Sequence, residues 1–550
     1  MDPIIECVPN FSEGRNPETI KQITTGIEAV PGVRLLNVDP GKATNRTVVT
    51  FVGHPQAVID AAFLAIKKAG ELIDMRNHTG EHPRMGATDV CPLIPIAGIT
   101  MEETAVWAQR LAKRVGEELQ IPVYLYEAAQ PNTQRNNLSV IRAGEYEGFF
   151  KKIKLPEWKP DFGPAEFDVR RGGTVIGARD FLVAYNVNLN TTSTRRANAV
   201  AFDVREAGRT VKEGEKTTQI PGTLKSVKAI GWYIEEYGMA QISMNLTNIR
   251  VTPVHIAFDE VCRKAAERGL RVTGSELVGL IPLQSMLDAG RYFLEKQQRS
   301  TGVSEKELIR IAILSMGLDE LGPFKPEERI IEYLLKDAAG ERLVRMPLND
   351  FADETASESP APGGGSISAY VGALGASLAT MVANLSSHKK GWDSRWKEFS
   401  DWADQGQKYK DELMRLVDAD TRAFNAIMAA FGLPKGTPEE KAVRTKAIQQ
   451  ATKTAIEVPF RVMEVAAGSL ALIKAMAETG NPNSVSDAGV GALCARAAVL
   501  GAFMNVRINA GGYEDKEFVN DILHKGRTIQ QDTLDAEARI LAIVDQKIGS

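Results

Sequence analysis

Short apolar runs alternate with longer amphipathic stretches over the first 300 residues. Pro3–Val8, Val33–Val38 and Thr47–Val52 have the length and composition of strands. Pro17–Val30 and Pro55–Met75 repeat apolar residues at helical spacing, each behind a proline suited to the first turn. Cys91–Ala97 predicts a further strand, Thr100–Gln120 a helix and Ile121–Tyr126 a strand. Strand, helix, strand, strand, helix, strand is the split βαβ order of ferredoxin-like units. The order then returns: Phe181–Asn188 as strand, Thr192–Ala207 as helix, Val227–Glu235 and Met239–Asn245 as a hairpin turning near Gly238, Pro253–Arg268 as helix and Arg271–Val278 as strand. No residue-level repeat accompanies it. The expectation is two ferredoxin-like α/β lobes, residues 1–180 and 181–335, with a ligand cleft between them.

Beyond Leu335 the pattern becomes all-helical. Ser304–Glu307 fits a capping box before Leu308–Leu314. Residues 336–358 read as a polar linker, and residues 359–550, rich in Ala and Leu, as a helical bundle. The fold class expected is therefore α/β plus all-α. Ser359–His388 holds no Asp, Glu, Lys or Arg and is long enough to cross a membrane. Its prolines, glycines, hydroxyl residues and Asn384 instead predict a helix packed inside the bundle, so no membrane association is expected.

Composition narrows the function classes. The chain has 550 residues, 43% hydrophobic and 25% charged, which excludes wholesale disorder. A net charge of −4 removes a nucleic-acid-binding coat as the default. Cys7, Cys91, Cys262 and Cys494 form no CxxC pattern, which predicts neither disulfides nor a zinc cluster and fits a reducing cytoplasm. The acidic start argues against a secretion signal.

Three polar features carry candidate chemistry. Asp74–Asp89 contains His78 and His82 beside Glu81, Arg76 and Arg84. The H-x-x-x-H spacing suits zinc on a helix, but Gly80 and Pro83 oppose a helix and no third soft ligand is near, so no metal is expected. A general acid/base histidine and a solvated polar loop remain the two readings. Ala361-Pro-Gly-Gly-Gly-Ser366 opens a helix and suits either an anion or close helix packing. Leu413, Val417, Asp420, Phe424, Ile427 and Phe431 fall on one helical stripe, which predicts that Asp420 is carried on a core face. Desolvation there raises a carboxyl pKa and suits a proton donor; a structural carboxylate is the alternative. Asp418 is expected on another face, paired with Arg415 and Arg422. Gly163–Gly173, with its arginines, suits an acidic ligand or a lobe connection.

These residues resemble a known family. Glu6-Cys-Val-Pro-Asn-Phe-Ser-Glu-Gly14, Thr44-Asn-Arg-Thr47 and Gly80-Glu-His-Pro-Arg-Met-Gly86 are similar to segments of glutamate formimidoyltransferases, as are Tyr146 and Trp158 in their contexts. The APGGGS turn and Val417-Asp-Ala-Asp420 resemble formimidoyltetrahydrofolate cyclodeaminase. Their order is that of the bifunctional formimidoyltransferase-cyclodeaminases. The resemblance implies a cytoplasmic enzyme of histidine degradation. It implies transfer of a formimidoyl group from N-formimidoyl-L-glutamate to tetrahydrofolate, then closure to 5,10-methenyltetrahydrofolate with release of ammonia. It implies His82 as the transferase catalyst and Asp420 as the deaminase catalyst. Folate would be held by Gly163, Pro164, Ala165, Glu166, Phe167, Asp168, Val169, Arg170, Arg171 and Gly172, although Asp168–Arg171 departs from the Pro-Ser or Pro-Thr pair usual there. Arg84, Lys389 and Lys390 are candidate partners for substrate carboxylates. The co-substrate is expected to be polyglutamylated, and the chain to form homo-oligomers, dimers or higher, up to an octamer. Two other readings are a cyclohydrolase-like bundle fused to the transferase and a non-catalytic folate-binding protein.

Overall fold

The computed structural model describes residues 3–41, 45–80, 84–213, 216–335 and 342–549. The chain divides into two compact units, Met1–Pro282 with Gly317–Leu335, and Leu283–Met316 with Lys336–Ser550. The first is mixed α/β; the second is helical among its described residues.

In the first unit, β1 (Ile4–Cys7) and β2 (Asn10–Phe11) are two halves of one broken strand. Then come α1 (Pro17–Glu28), β3 (Val33–Gly41), β4 (Arg46–Gly53), α2 (Pro55–Leu72), β5 (Thr88–Ala97), α3 (Met101–Glu118) and β6 (Val123–Glu127). The short helices α4 (Leu138–Arg142) and α5 (Glu145–Lys152) precede β7 (Thr174–Ala178). The sheet runs β3, β4, the β1/β2 pair, β5, β7 and β6. Ile5, Cys7, Phe51, Cys91, Leu93 and Ile176, all at 0% exposure, join the core shared with α1, α2 and α3. The predicted strands and helices of this region all form. β7 was not anticipated: it enters parallel between β5 and β6, and its sequence Thr-Val-Ile-Gly-Ala has neither alternation nor length to announce it.

A second sheet follows, built from β8 (Val183–Leu189), β11 (Val227–Ile234), β12 (Met239–Leu246) and β13 (Val272–Val278) in the order β11-β12-β8-β13. Helices α6 (Thr194–Val204) and α7 (Val254–Glu267) lie among these strands in sequence. An added two-stranded ribbon, β9 (Arg209–Glu213) and β10 (Lys216–Ile220), was also not anticipated. The hairpin turns at Gly238, whose φ of 63° requires glycine.

The second unit begins with α8 (Leu283–Lys296) and α9 (Glu305–Met316), where Ser304 Oγ accepts from Glu307 N at 3.3 Å, half of the predicted capping box. Their connection is tied to the bundle: Thr301 N donates to Ser400 Oγ at 3.0 Å, and Thr301 Oγ1 to Asp404 at 2.6 Å. After α10 (Pro326–Arg329) and α11 (Ile331–Leu335) in the first unit, α12 (Leu348–Ala356) leads into the bundle. The bundle consists of α13 (Gly364–Ser387), α14 (Trp396–Phe431), α15 (Pro438–Thr479), α16 (Val485–Ala510) and α17 (Lys516–Ile548). The charge-free α13 is the inner helix expected from its composition. Ala369, Ala373, Ala376, Ala379 and Ala383 are buried along it, and at Gly372 an added Cβ would stand 3.1 Å from Ala498.

Pro459 sits buried inside the 42-residue α15, where it cannot donate to the carbonyl four residues back. That carbonyl, Ala455 O, instead accepts from Asn509 Nδ2 of α16 at 2.7 Å. Asn509→Ala should therefore cost about 1–2 kcal/mol, and the cost should largely vanish in a Pro459→Ala background, where the helix regains its own donor. Denaturant unfolding of the four variants of this cycle measures the coupling.

Candidate functional sites

In the first unit, side chains lock three loop segments together. Ser12 Oγ donates to Gly86 O at 2.8 Å and Thr47 Oγ1 to Glu13 O at 2.5 Å. Asn45, at φ 48°, accepts from Gly14 N at 3.0 Å and donates to Thr79 O at 2.9 Å. Its own carbonyl accepts a hydrogen bond from His78 Nε2 at 2.8 Å. Arg84 Nε donates to His78 Nδ1 at 3.2 Å, so Nδ1 is the acceptor and Nε2 carries the hydrogen. The ring is neutral; burial first, and then the Arg84 charge, lower its pKa. These contacts fix the described residues on either side of 81–83. His82 itself lies outside the described residues.

Arg84 is 8% exposed. Its guanidinium is shared between Glu147, at 2.6 and 2.9 Å, and Glu145, at 3.1 Å. It is thus engaged by the protein's own carboxylates as well as His78. Burial would lower its pKa, but these two carboxylates leave it raised. Beneath it, Asp89 is 1% exposed, accepts from Met85 N at 3.0 Å and is ion-paired with Arg142. Glu6 was not singled out as a site residue; it is 4% exposed, and burial pushes its carboxyl up to about 7 against the pull of Arg179.

The 163–172 segment lies against Met85–Ala87. Gly86 and Gly172 form a bridge, Ala87 N donates to Arg171 O at 2.8 Å, and Gly173 N to Met85 O at 3.1 Å. Gly172, at φ 69°, permits this contact, since a Cβ there would stand 2.2 Å from Met85 O. Phe167 packs on Tyr146, Phe149 and Phe150. Asp168 accepts from the backbone of Arg170 and Arg171, each at 2.9 Å, and from Arg171 Nε at 2.6 Å. Arg171 also donates to Leu119 O, and Arg170 to Glu71 O. Both arginines are therefore occupied in bracing the segment against the ends of α2 and α3.

In the helical unit, Gly365 and Ser366 open α13 directly against Asp420 of α14. A Cβ at position 365 would stand 2.2 Å from Asp420 Oδ1, so glycine is required by the approach of the carboxylate. Ser366 Oγ donates to Val417 O at 2.8 Å and lies 3.2 Å from Asp420 Oδ2. Thr421 Oγ1 is 3.3 Å from the same hydroxyl, and Asn505 of α16 flanks Gly364. Burial raises the Asp420 pKa; the Ser366 side chain and backbone only partly offset it. Ser366 was read only as part of a turn, and Thr421 and Asn505 carried no sequence signal of their own.

Two expectations need correction. The stripe on α14 is buried at Leu413 and Val417, but Phe424 is 36% and Phe431 51% exposed, because the stripe leaves the core beyond Asp420. Asp418, expected at a salt-bridged face, is instead 6% exposed and accepts from Leu343 N at 2.9 Å and Val344 N at 3.3 Å. Arg415 pairs with Glu412. Lys389 and Lys390 follow the C-terminal end of α13, about 36 Å of helix from Gly365, and are not brought to Asp420; Lys389 lies over the Trp392 ring. Among the described residues no three His, Cys, Asp or Glu are grouped to hold a metal.

The two neighbouring aspartates should respond oppositely to substitution. Asp418→Ala strands two backbone donors and should lower stability by about 1–3 kcal/mol. Asp420 is raised above its ordinary 3.8, so it stabilises fully only below that pH and the contribution is lost as pH rises through the raised value. Asp420→Asn should therefore leave stability at pH 7 equal or higher, as measured by urea unfolding.

Comparison with known proteins covers both units. The Formiminotransferase domain, N-terminal subdomain, matches residues 4–179, the Formiminotransferase domain matches 184–336, and Formiminotransferase-cyclodeaminase matches 347–528. The chain is 43% identical over 548 residues to a formimidoyltransferase-cyclodeaminase of Gallus gallus, covering 100% of both. It is 43% identical to a glutamate formimidoyltransferase of Thermoplasma acidophilum across 53% of this chain and 92% of that protein. It is 37% identical to a methenyltetrahydrofolate cyclohydrolase of Methylorubrum extorquens across 37% of this chain and 97% of that protein.

Proposed function

The chain belongs to the formimidoyltransferase-cyclodeaminase family, and on that premise we propose that it carries out both reactions of that name in histidine degradation. In the first, N5 of tetrahydrofolate attacks the formimidoyl carbon of N-formimidoyl-L-glutamate and the bond to the glutamate nitrogen breaks. His82 takes the proton from N5 and returns one to the departing glutamate nitrogen. The 163–172 segment holds the folate, largely through its backbone, since Arg170 and Arg171 are committed elsewhere. Arg84 bonds to His78, which fixes the chain on either side of residues 81–83. In the second reaction N10 attacks the same carbon, and the NH2 group leaves as ammonia with a proton supplied by Asp420.

The observation that carries this reading is the desolvated Asp420 carboxyl set against the Gly365 backbone, in a chain whose other unit interlocks the three transferase motifs. A proton donor near neutral pH requires a raised carboxyl, and burial shifts Asp420 in that direction. The co-substrate is polyglutamylated tetrahydrofolate, the two α/β lobes of the transferase are ferredoxin-like, and the enzyme works in the cytoplasm as a homo-oligomer, a dimer or larger. The cyclohydrolase reading is kept alive by the Methylorubrum extorquens relative of the helical unit.

Supplied with N-formimidoyl-L-glutamate and tetrahydrofolate, the protein should form methenyltetrahydrofolate by absorbance; no absorbance change with intact substrates contradicts the reading. His82→Ala should abolish glutamate release while leaving ammonia release from 5-formimidoyltetrahydrofolate, and Asp420→Asn should do the reverse. Comparing ammonia release with methenyl hydrolysis in the same preparation decides between deaminase and cyclohydrolase, and the deaminase rate should dominate.

A further inference from the structure

A cavity of about 520 Å³ lies in the helical unit where the α8–α9 connection meets α13 and α14. Its wall includes Asn384, His388, Gln407 and Lys410, together with Met381 and Leu385, which are 38% and 46% exposed. One carbonyl holds the connection beside it. Gly302 O accepts from Asn384 Nδ2 at 2.8 Å and from Gln407 Nε2 at 3.0 Å. Residue 302 must be glycine to come so near α14, since a Cβ there would stand 2.2 Å from Ala403 Cβ.

A carbonyl only accepts, so both amides turn their nitrogens to Gly302 and their oxygens away from it. Asn384 Oδ1 and Gln407 Oε1 are buried, and neither meets a donor among the described residues. Native interiors leave few such oxygens, and two from one cavity wall call for a donor that the chain does not supply. Each amide is followed one turn later on its helix by a basic side chain. His388 lies four residues beyond Asn384 at the end of α13, and Lys410 three beyond Gln407 on α14. Lys410 Nζ donates to Asp411 Oδ1 at 2.8 Å, which leaves its ammonium two further hydrogens. Burial first, and then the Arg299 charge, lower the His388 pKa, so Arg299 supplies the positive charge at that end. Two acceptors are thus flanked by two basic ends.

We propose that this cavity is a binding site for a free dicarboxylic α-amino acid, glutamate, away from either catalytic residue. Its ammonium is received by the Asn384 and Gln407 oxygens, one carboxylate by Lys410 and the other by His388 with Arg299. Met381 and Leu385 lie along its methylenes. The chemistry selects a free amine: a γ-linked glutamate in a folate tail has its nitrogen acylated, keeps one N–H and cannot serve both oxygens. Glutamate is what the transferase reaction releases, so the inference rests on the proposed function for the source of the ligand and on the cavity alone for its recognition. Occupancy bridges α13 and α14 across the α8–α9 connection and braces that joint.

The test is calorimetric titration of the full-length protein with L-glutamate, without folate. Saturable binding with a Kd of about 1 mM or tighter is expected. Glutarate, which keeps both carboxylates and lacks the amine, should bind about tenfold more weakly or worse, and this arm needs no variant that could misfold. Lys410→Met leaves the bonds to Gly302 in place and should weaken L-glutamate by about tenfold or more. Its transferase KM for N-formimidoyl-L-glutamate and its ammonia release from 5-formimidoyltetrahydrofolate should stay within about twofold, which shows that the variant is folded. Absence of saturable L-glutamate binding overturns the inference. So does glutarate binding as tightly as L-glutamate, which means that no ammonium is read. Binding that Lys410→Met leaves unchanged and N-formimidoyl-L-glutamate displaces in full also overturns it, since that assigns the ligand to the transferase site. If the parent transfers no formimidoyl group, the proposed function fails while a Lys410-dependent glutamate site stands; a transferring parent without such a site rejects this inference alone.

Discussion

Asp420 and Gly365 cannot both keep their positions if residue 365 carries a side chain, because a methyl group there would overlap the carboxylate. Much of the helical unit follows from that approach. The opening turn of α13 must be glycine-rich, its next residue must offer a hydroxyl to the carboxylate, and the helices behind it must be lined with small residues to come close enough. Gly372 against Ala498 and Gly375 against Gly491 meet that requirement along α13. The same closeness excludes water from the carboxyl and favours its protonated form, so packing and proton chemistry have one cause.

The α/β unit solves a different problem. Its motif segments run from strand ends into turns where the ladder stops, and side-chain bonds to backbone supply the missing order there. Asn45 alone ties residues 14 and 79, and its carbonyl orients the His78 ring. Arg84 extends the tie to α5 through Glu147 and Glu145. Its guanidinium is matched by two carboxylates of its own chain and by His78.

Most strands and long helices of both units were legible because each buries one face, and a buried face imposes period 2 or 3.6 on the sequence. Asp420 was legible for the same reason, as the one acid on an apolar stripe. Where the constraint is not periodic, the sequence is silent. β7 is five residues buried on both faces, so nothing alternates. Asp418 looked like a surface acid because its ligands, the backbone groups of Leu343 and Val344, lie 75 and 74 residues away and carry no side-chain signature.

The central claim is that burial against α13 raises the pKa of the Asp420 carboxyl above its ordinary value. Infrared difference spectra between the parent protein and Asp420→Asn, recorded across a pH titration, observe this group's own carbonyl stretch. The account predicts a protonation midpoint clearly above 3.8; a midpoint at or below that value would contradict it.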